Sequence, residues 1–153
     1  MSVSIDMQLQ ATASLLRRGG SLDRLSTGLT LLGALLGLGQ YVMASPGTWG
    51  LTCSVTLLVL GLWQKYWALR VAFDADLFQH LAASAQELPE RTQALDHALT
   101  ALGLQPADRG GRPWNERISG ALKLLRRQAL LVAAQVLLTL VFIVAGPWLT
   151  FAG

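Results

Sequence analysis

Asp76 and His80 are the pair of side chains whose types and spacing come nearest to chemistry in this sequence. Four residues apart on a helix, they share a face. There a carboxylate and an imidazole can hold a metal ion or relay a proton if a neighbouring subunit adds ligands. Two ligands do not make a centre, and the same general face adds only Glu87, two turns on. The plainer reading is a solvated pair or a hydrogen bond between helices. His97, beside Asp96, reads as surface. Together with Asp74, the Asp76 and His80 pair is the whole case for a membrane-embedded enzyme acting on lipid. No nucleophile elbow or zincin pattern is present, and Gly110-Gly111 lacks the Lys-Ser/Thr continuation and the preceding strand of a phosphate loop. Neither a metal nor a cofactor is expected.

The second chemical grouping is basic: Arg109, Arg112, Arg117, Lys123, Arg126 and Arg127. Such a cluster beside a membrane first of all sets topology, and Arg117, Lys123, Arg126 and Arg127 are the candidates to touch anionic lipid headgroups. Nucleic acid is not expected as a partner, because the net charge of +3 has this simpler use.

The elements that carry these residues follow from composition. Of 153 residues, 52% are hydrophobic and 14% charged, against roughly 25% charged in a water-soluble domain. Three apolar segments approach the ~20 residues that cross a bilayer: 25–44, 48–69 and 128–150. The first lacks charge altogether. The second carries Lys65 within about a turn of its end, where the stem can lift the ammonium to the headgroups, and Trp49, Trp63, Tyr66 and Trp67 mark its two ends. The third lies between Arg126-Arg127 and Pro147-Trp148. The single Cys53 excludes an internal disulfide and a cysteine-based zinc site, and reads as a small buried hydrophobe.

With three spans, all twelve basic residues fall on one side of the bilayer. The positive-inside rule makes that side the cytoplasm, with the N-terminus inside and the C-terminus outside. Ten of the twelve are Arg, a usage consistent with a GC-rich bacterial genome. A cleaved leader ending near Val42-Met43-Ala44 is the rival reading of the first span, but the apolar run is nearer spanning length than leader length.

Gly33 and Gly37 form a Gly-x-x-x-Gly pair that lets another helix approach the backbone closely. The favoured partner is span two, which returns alongside after the short Ser45-Pro46-Gly47 turn. Between spans two and three, residues 70–127 form a helical cytoplasmic region. Span two continues through a stripe of Leu69, Phe73, Leu77, Leu81 and Leu88, and a second helix carries Leu95, Leu99 and Leu102 and closes at Gly103. The two could pack as a hairpin. A Pro- and Gly-rich loop follows, and Asn115 is placed to cap a helix that enters span three. In the N-terminal segment, 1–24, residues 2–9 alternate apolar and polar, as in a strand whose partner would have to be another chain; a frayed or amphipathic helical tail is the favoured reading, with helix expected at 11–18.

The expected fold is therefore all-α: an integral membrane protein with three transmembrane helices and a helical cytoplasmic segment between spans two and three. The expected role is non-enzymatic, in the bacterial inner membrane, acting by assembly as a homo-oligomer or as a small subunit of a larger complex. A homo-oligomeric channel or transport component, its path lined by Thr52, Ser54, Thr56, Gln135 and Thr139, is the alternative. The lipid-acting enzyme comes third.

Overall fold

A computed structural model describes residues 2–43, 47–83, 88–103 and 111–151. Ser45, Pro46, Gln86, Glu87 and the loop 104–110 lie outside the described residues. Five helices and no strand occur within them: α1 (Ser2–Arg17), α2 (Gly19–Val42), α3 (Thr48–Ala82), α4 (Leu88–Ala101) and α5 (Trp114–Phe151).

Residues 2–9 are the opening turns of α1, not a strand. Ile5, Leu9, Ala13 and Leu16 recur every three or four residues, so a helix gathers them into one stripe that packs on Val71, Ala75, Phe78 and Leu81 of α3. A helix also satisfies its own backbone, whereas a lone strand here has nothing to pair with. α1 and α2 form an almost continuous rod. At the joint, the N–H of Arg18 bonds to the Leu15 carbonyl and that of Ser21 to the Arg18 carbonyl, both at 3.1 Å, a local tightening of the turn beside Gly19 and Gly20.

Two helices are long and apolar enough to cross a membrane, Met7–Val42 and Trp114–Ala145, not the three expected. The shortfall is in α3. Thr48, Thr52, Ser54, Thr56, Gln64 and Lys65 dilute its apolar residues, although at 35 residues it is amply long.

α2, α3 and α5 share one seam. Gly19 is bonded to Gln128 and Ser26 to Gln135, each pair 109 residues apart, so α2 and α5 run parallel. α3 runs against both, with Leu57 facing Gly33, Ser54 facing Gly37 and Val71 facing Gly19. Buried positions recur every seven residues: Gly19, Ser26 and Gly33 on α2, Leu57, Gln64, Val71 and Phe78 on α3, and Ala121, Gln128 and Gln135 on α5. A seven-residue repeat is the pattern of left-handed supercoiled helices.

The seam changes character part-way along. In one half it is made of Leu9, Leu16, Val71, Phe78, Leu81 and Ala121, and the charged residues of the rods lie around it. In the other half, where no charged residue occurs from Leu25 to Gln64 or from Gln128 onward, Ser26, Ser54, Gln64, Gln135 and Thr139 are buried while Leu35, Val55, Leu62, Leu130, Leu137 and Val144 are exposed. Most of the buried polar side chains of the bundle point in here, and most of the leucines and valines point out.

Other details differ from the sequence reading. The buried face of α3 beyond residue 69 is Val71, Ala75, Phe78 and Leu81, so Leu69 and Phe73 of the expected stripe are on the outside. α5 starts from Pro113, whose carbonyl accepts from Glu116 and Arg117, which leaves Asn115 inside the first turn and not at the cap. Gly103, at φ 68°, does end α4 in the left-handed conformation.

Gly33→Ala is expected to cost about 1–3 kcal/mol, because its methyl would sit 2.8 Å from Leu57 Cβ, an atom that cannot swing away. Gly28→Ala meets nothing within 4 Å and should leave the melting midpoint in detergent unchanged or slightly higher. Equal effects at the two positions would contradict this packing.

Candidate functional site

The charge-free half of the seam is held by hydrogen bonds. Ser26 donates its hydroxyl proton to Gln135 Oε1 at 2.6 Å, and Gln135 Nε2 donates to the Thr30 hydroxyl and the Leu57 carbonyl, both at 3.3 Å. One heptad earlier on α5, Gln128 Nε2 donates to the Gly19 carbonyl at 2.8 Å. Thr139 donates to the Gln135 carbonyl. Gln64 is fully buried with neither end of its carboxamide hydrogen-bonded, and Gln128 Oε1 is likewise unpartnered.

Gly33 and Gly37 lie against Leu57 and Ser54 of the same chain, where their missing side chains let α2 and α3 approach. Ser54, Gln135 and Thr139 are buried inside the monomer, while Thr52 and Thr56 face outward and return their hydroxyls to carbonyls four residues back. These five residues therefore do not share a surface that could line a path between copies.

At the level where the seam changes, charge and aromatic rings collect. Lys65 does not extend alone: its ammonium donates to both oxygens of Asp23, at 2.7 and 2.8 Å, and to Thr27 at 2.7 Å. The sequence held a clue to this pair, since Asp23 precedes the first apolar segment and Lys65 closes the second, and a hairpin brings those ends level. Arg70 lies 5.1 Å from the Tyr66 ring centre and Arg127 5.2 Å from that of Trp67. The offset of 109 between α2 and α5 sets Arg17 and Arg18 beside the level of Arg126 and Arg127. Lys123 and Arg126 are exposed.

Arg117 is not available to a headgroup as expected. It donates to both oxygens of Asp96, at 2.9 and 2.8 Å, donates through Nε to the Arg112 carbonyl, and covers the Trp114 ring, which meets Phe78 edge-on. Asp96 also accepts from the Gly111 N–H at 2.9 Å. This clasp ties α4 to the start of α5, with Leu95 resting at the edge of the apolar core. The Arg117 guanidinium and the Gly111 N–H hold the Asp96 carboxyl below the usual carboxylate range.

Comparison with protein-family models, with characterised proteins and with solved structures finds no match to this chain. Its role must be read from geometry.

Asp76 and His80 do not form a carboxylate and imidazole pair. Nδ1 of His80 bonds to the backbone carbonyl of Asp76 at 2.8 Å, and both residues are exposed. No group of three His, Cys, Asp or Glu side chains suited to a metal occurs among the described residues. Asp74 is the carboxylate that stands out. Burial pushes it up to about 6, with the nearby Arg70 pulling the other way.

Because the fold holds the Asp74 proton more tightly than the unfolded chain does, stability should rise as pH falls from 7 toward 5. The total gain is on the order of 2 kcal/mol. Asp74→Asn should abolish that rise in a melting series and stabilise the protein at neutral pH. Asp96 works in the opposite sense, its contribution being lost as pH falls through the ordinary carboxylate range and below. Asp96→Ala should free α4, raising hydrogen exchange across 88–103 by about tenfold or more while α2 remains protected.

Proposed function

We propose that this chain is a three-span protein of the bacterial inner membrane, with its N-terminus in the cytoplasm and its C-terminus outside. It acts by assembly, as a homo-oligomer or a small subunit of a membrane complex, without chemistry of its own. The observation that carries the reading is the reversal of polarity along the seam. Lipid removes the hydrophobic drive for helices to associate, so buried small and hydrogen-bonding residues with leucines outside suit hydrocarbon. An apolar seam wrapped in charge suits water.

α3 crosses with its neighbours on this reading despite its diluted composition, since its hydroxyls and Gln64 are spent inward or on its own backbone. From the Asp23 and Lys65 level to Val42 the rods rise about 30 Å at 1.5 Å per residue, the thickness of a hydrocarbon core. The girdle of Arg17, Arg18, Arg70, Lys123, Arg126 and Arg127 with Tyr66 and Trp67 would then lie at the cytoplasmic headgroups. Lys123, Arg126 and Arg127 are its contacts for anionic lipid.

Assembly is supported by apolar surface on the wet side of the girdle. Met7 and Leu15, 68% and 44% exposed, point away from the bundle on α1, and Leu102 is 71% exposed at the end of α4. No lipid covers them there. The surface is suited to a second protein surface.

Topology is tested by thiol labelling in a Cys53→Ala background. Gly47→Cys should react with an impermeant reagent in intact cells, and Gln93→Cys only after permeabilisation. Reaction of Gln93→Cys in intact cells would mean that α3 does not cross. Native mass in lipid nanodiscs should exceed one chain and fall to one on Met7→Glu with Leu15→Glu, the melting midpoint being unchanged. A wild-type monomer without a co-purifying subunit would overturn the assembly reading.

A further inference from the structure

A groove of about 330 Å³ runs between the joint of α1 with α2 and the facing side of α3, at the level of the girdle. Its base is small: Gly19, Gly20, Ala68 and Ala72 line it, and a side chain added at Gly20 would meet nothing within 4 Å. Leu16 and Val71 add apolar wall. Four charged residues also line it. Asp23 and Lys65 neutralise each other at 2.7 Å. That leaves Arg17 and Asp76, both exposed, one of each sign, and neither with a side-chain hydrogen bond or ion pair among the described residues.

We infer that this groove binds a zwitterionic phospholipid whose headgroup carries a primary amine, as in phosphatidylethanolamine. The guanidinium of Arg17 offers parallel donors to a phosphate. The Asp76 carboxylate accepts from an ammonium that still has protons to give, which a choline headgroup lacks. The facing of Gly19 and Val71 sets Asp76 about one helical turn beyond Arg17 along the rods, and the two-carbon link of an ethanolamine headgroup joins its charges over a similarly short reach. An anionic headgroup without an amine would satisfy Arg17 and leave Asp76 facing like charge. The glycine and alanine base leaves room for the glycerol and the start of an acyl chain. The inference rests on the membrane reading above, because only that topology puts the groove among headgroups.

The test loads purified protein with equal amounts of phosphatidylethanolamine, phosphatidylglycerol and phosphatidylcholine and counts retained lipid by native mass spectrometry. Wild type should retain the ethanolamine lipid at least about fivefold over either competitor. Asp76→Asn should lose the preference over phosphatidylglycerol, Arg17→Gln should weaken retention of phosphatidylethanolamine and phosphatidylglycerol alike, and Gly20→Leu should block the groove. The melting midpoint in detergent reports that each variant is folded. Equal retention of the three lipids by wild type, or an unchanged preference in Asp76→Asn, would overturn the inference. Carbonate extraction of the same cells separates the two claims: a chain that stays in the membrane without lipid preference overturns this inference alone, and one that is extracted overturns the membrane reading beneath it.

Discussion

Three helices pressed along a common line must find a reason to stay together, and the reason differs with what surrounds them. Leu9, Leu16, Val71 and Phe78 meet because water rejects them, which is sufficient wherever water is present. Past Arg24 the outward faces are as apolar as that core, so in the bilayer proposed above exclusion of oil from water would not discriminate inside from outside. Contact there has to come from close backbone approach at Gly33 and Gly37 and from bonds such as Ser26 to Gln135 and Gln128 to Gly19. Most other features of the chain, including where its charges stop, are consistent with this exchange of one cohesive force for another.

The boundary between the two regimes is itself reinforced. An ammonium and a carboxylate brought there singly would each be costly among apolar side chains, yet Lys65 and Asp23 arrive from opposite arms of the helical hairpin and satisfy each other along with Thr27. Neither is fully sealed off, the side chains being 43% and 29% exposed, so the pair fixes register more than it adds stability. Arg70 on Tyr66 and Arg127 on Trp67 hold neighbouring cations on ring faces at the same height.

Much of the helical framework is legible in the residues alone. Long charge-free stretches, the Gly33 and Gly37 spacing and the stop at Gly103 are local signals, and each has a local cause. Pairing is only hinted at by the hairpin for Asp23 with Lys65, and not shown at all for Asp96 with Arg117. Asp23 with Lys65 and Asp96 with Arg117 join residues far apart in the chain, and only a register turns two isolated charges into one neutral unit. α1 settles two competing readings: alternation over eight residues is compatible with a helix when Ile5, Leu9, Ala13 and Leu16 continue at helical spacing. On α3 the apolar stripe of Leu69 and Phe73 competed with the smaller Val71 and Ala75, and the smaller residues won the core because α1 lies close against them. The groove at Arg17 and Asp76 is made of missing side chains, which a sequence pattern does not reveal.

The joint at Arg18 is backed by Gln128, whose amide holds the Gly19 carbonyl of the opposite rod. Gln128 sits on the same uninterrupted helix as Arg117, to which α4 is clasped. Load placed on α4 therefore passes into α5, and from α5 to the joint that the Gln128 amide holds. The clasp on α4 and the joint of α1 with α2 thus belong to one connected framework, joined along α5 by the Gln128 amide together with the Ser26 to Gln135 bond.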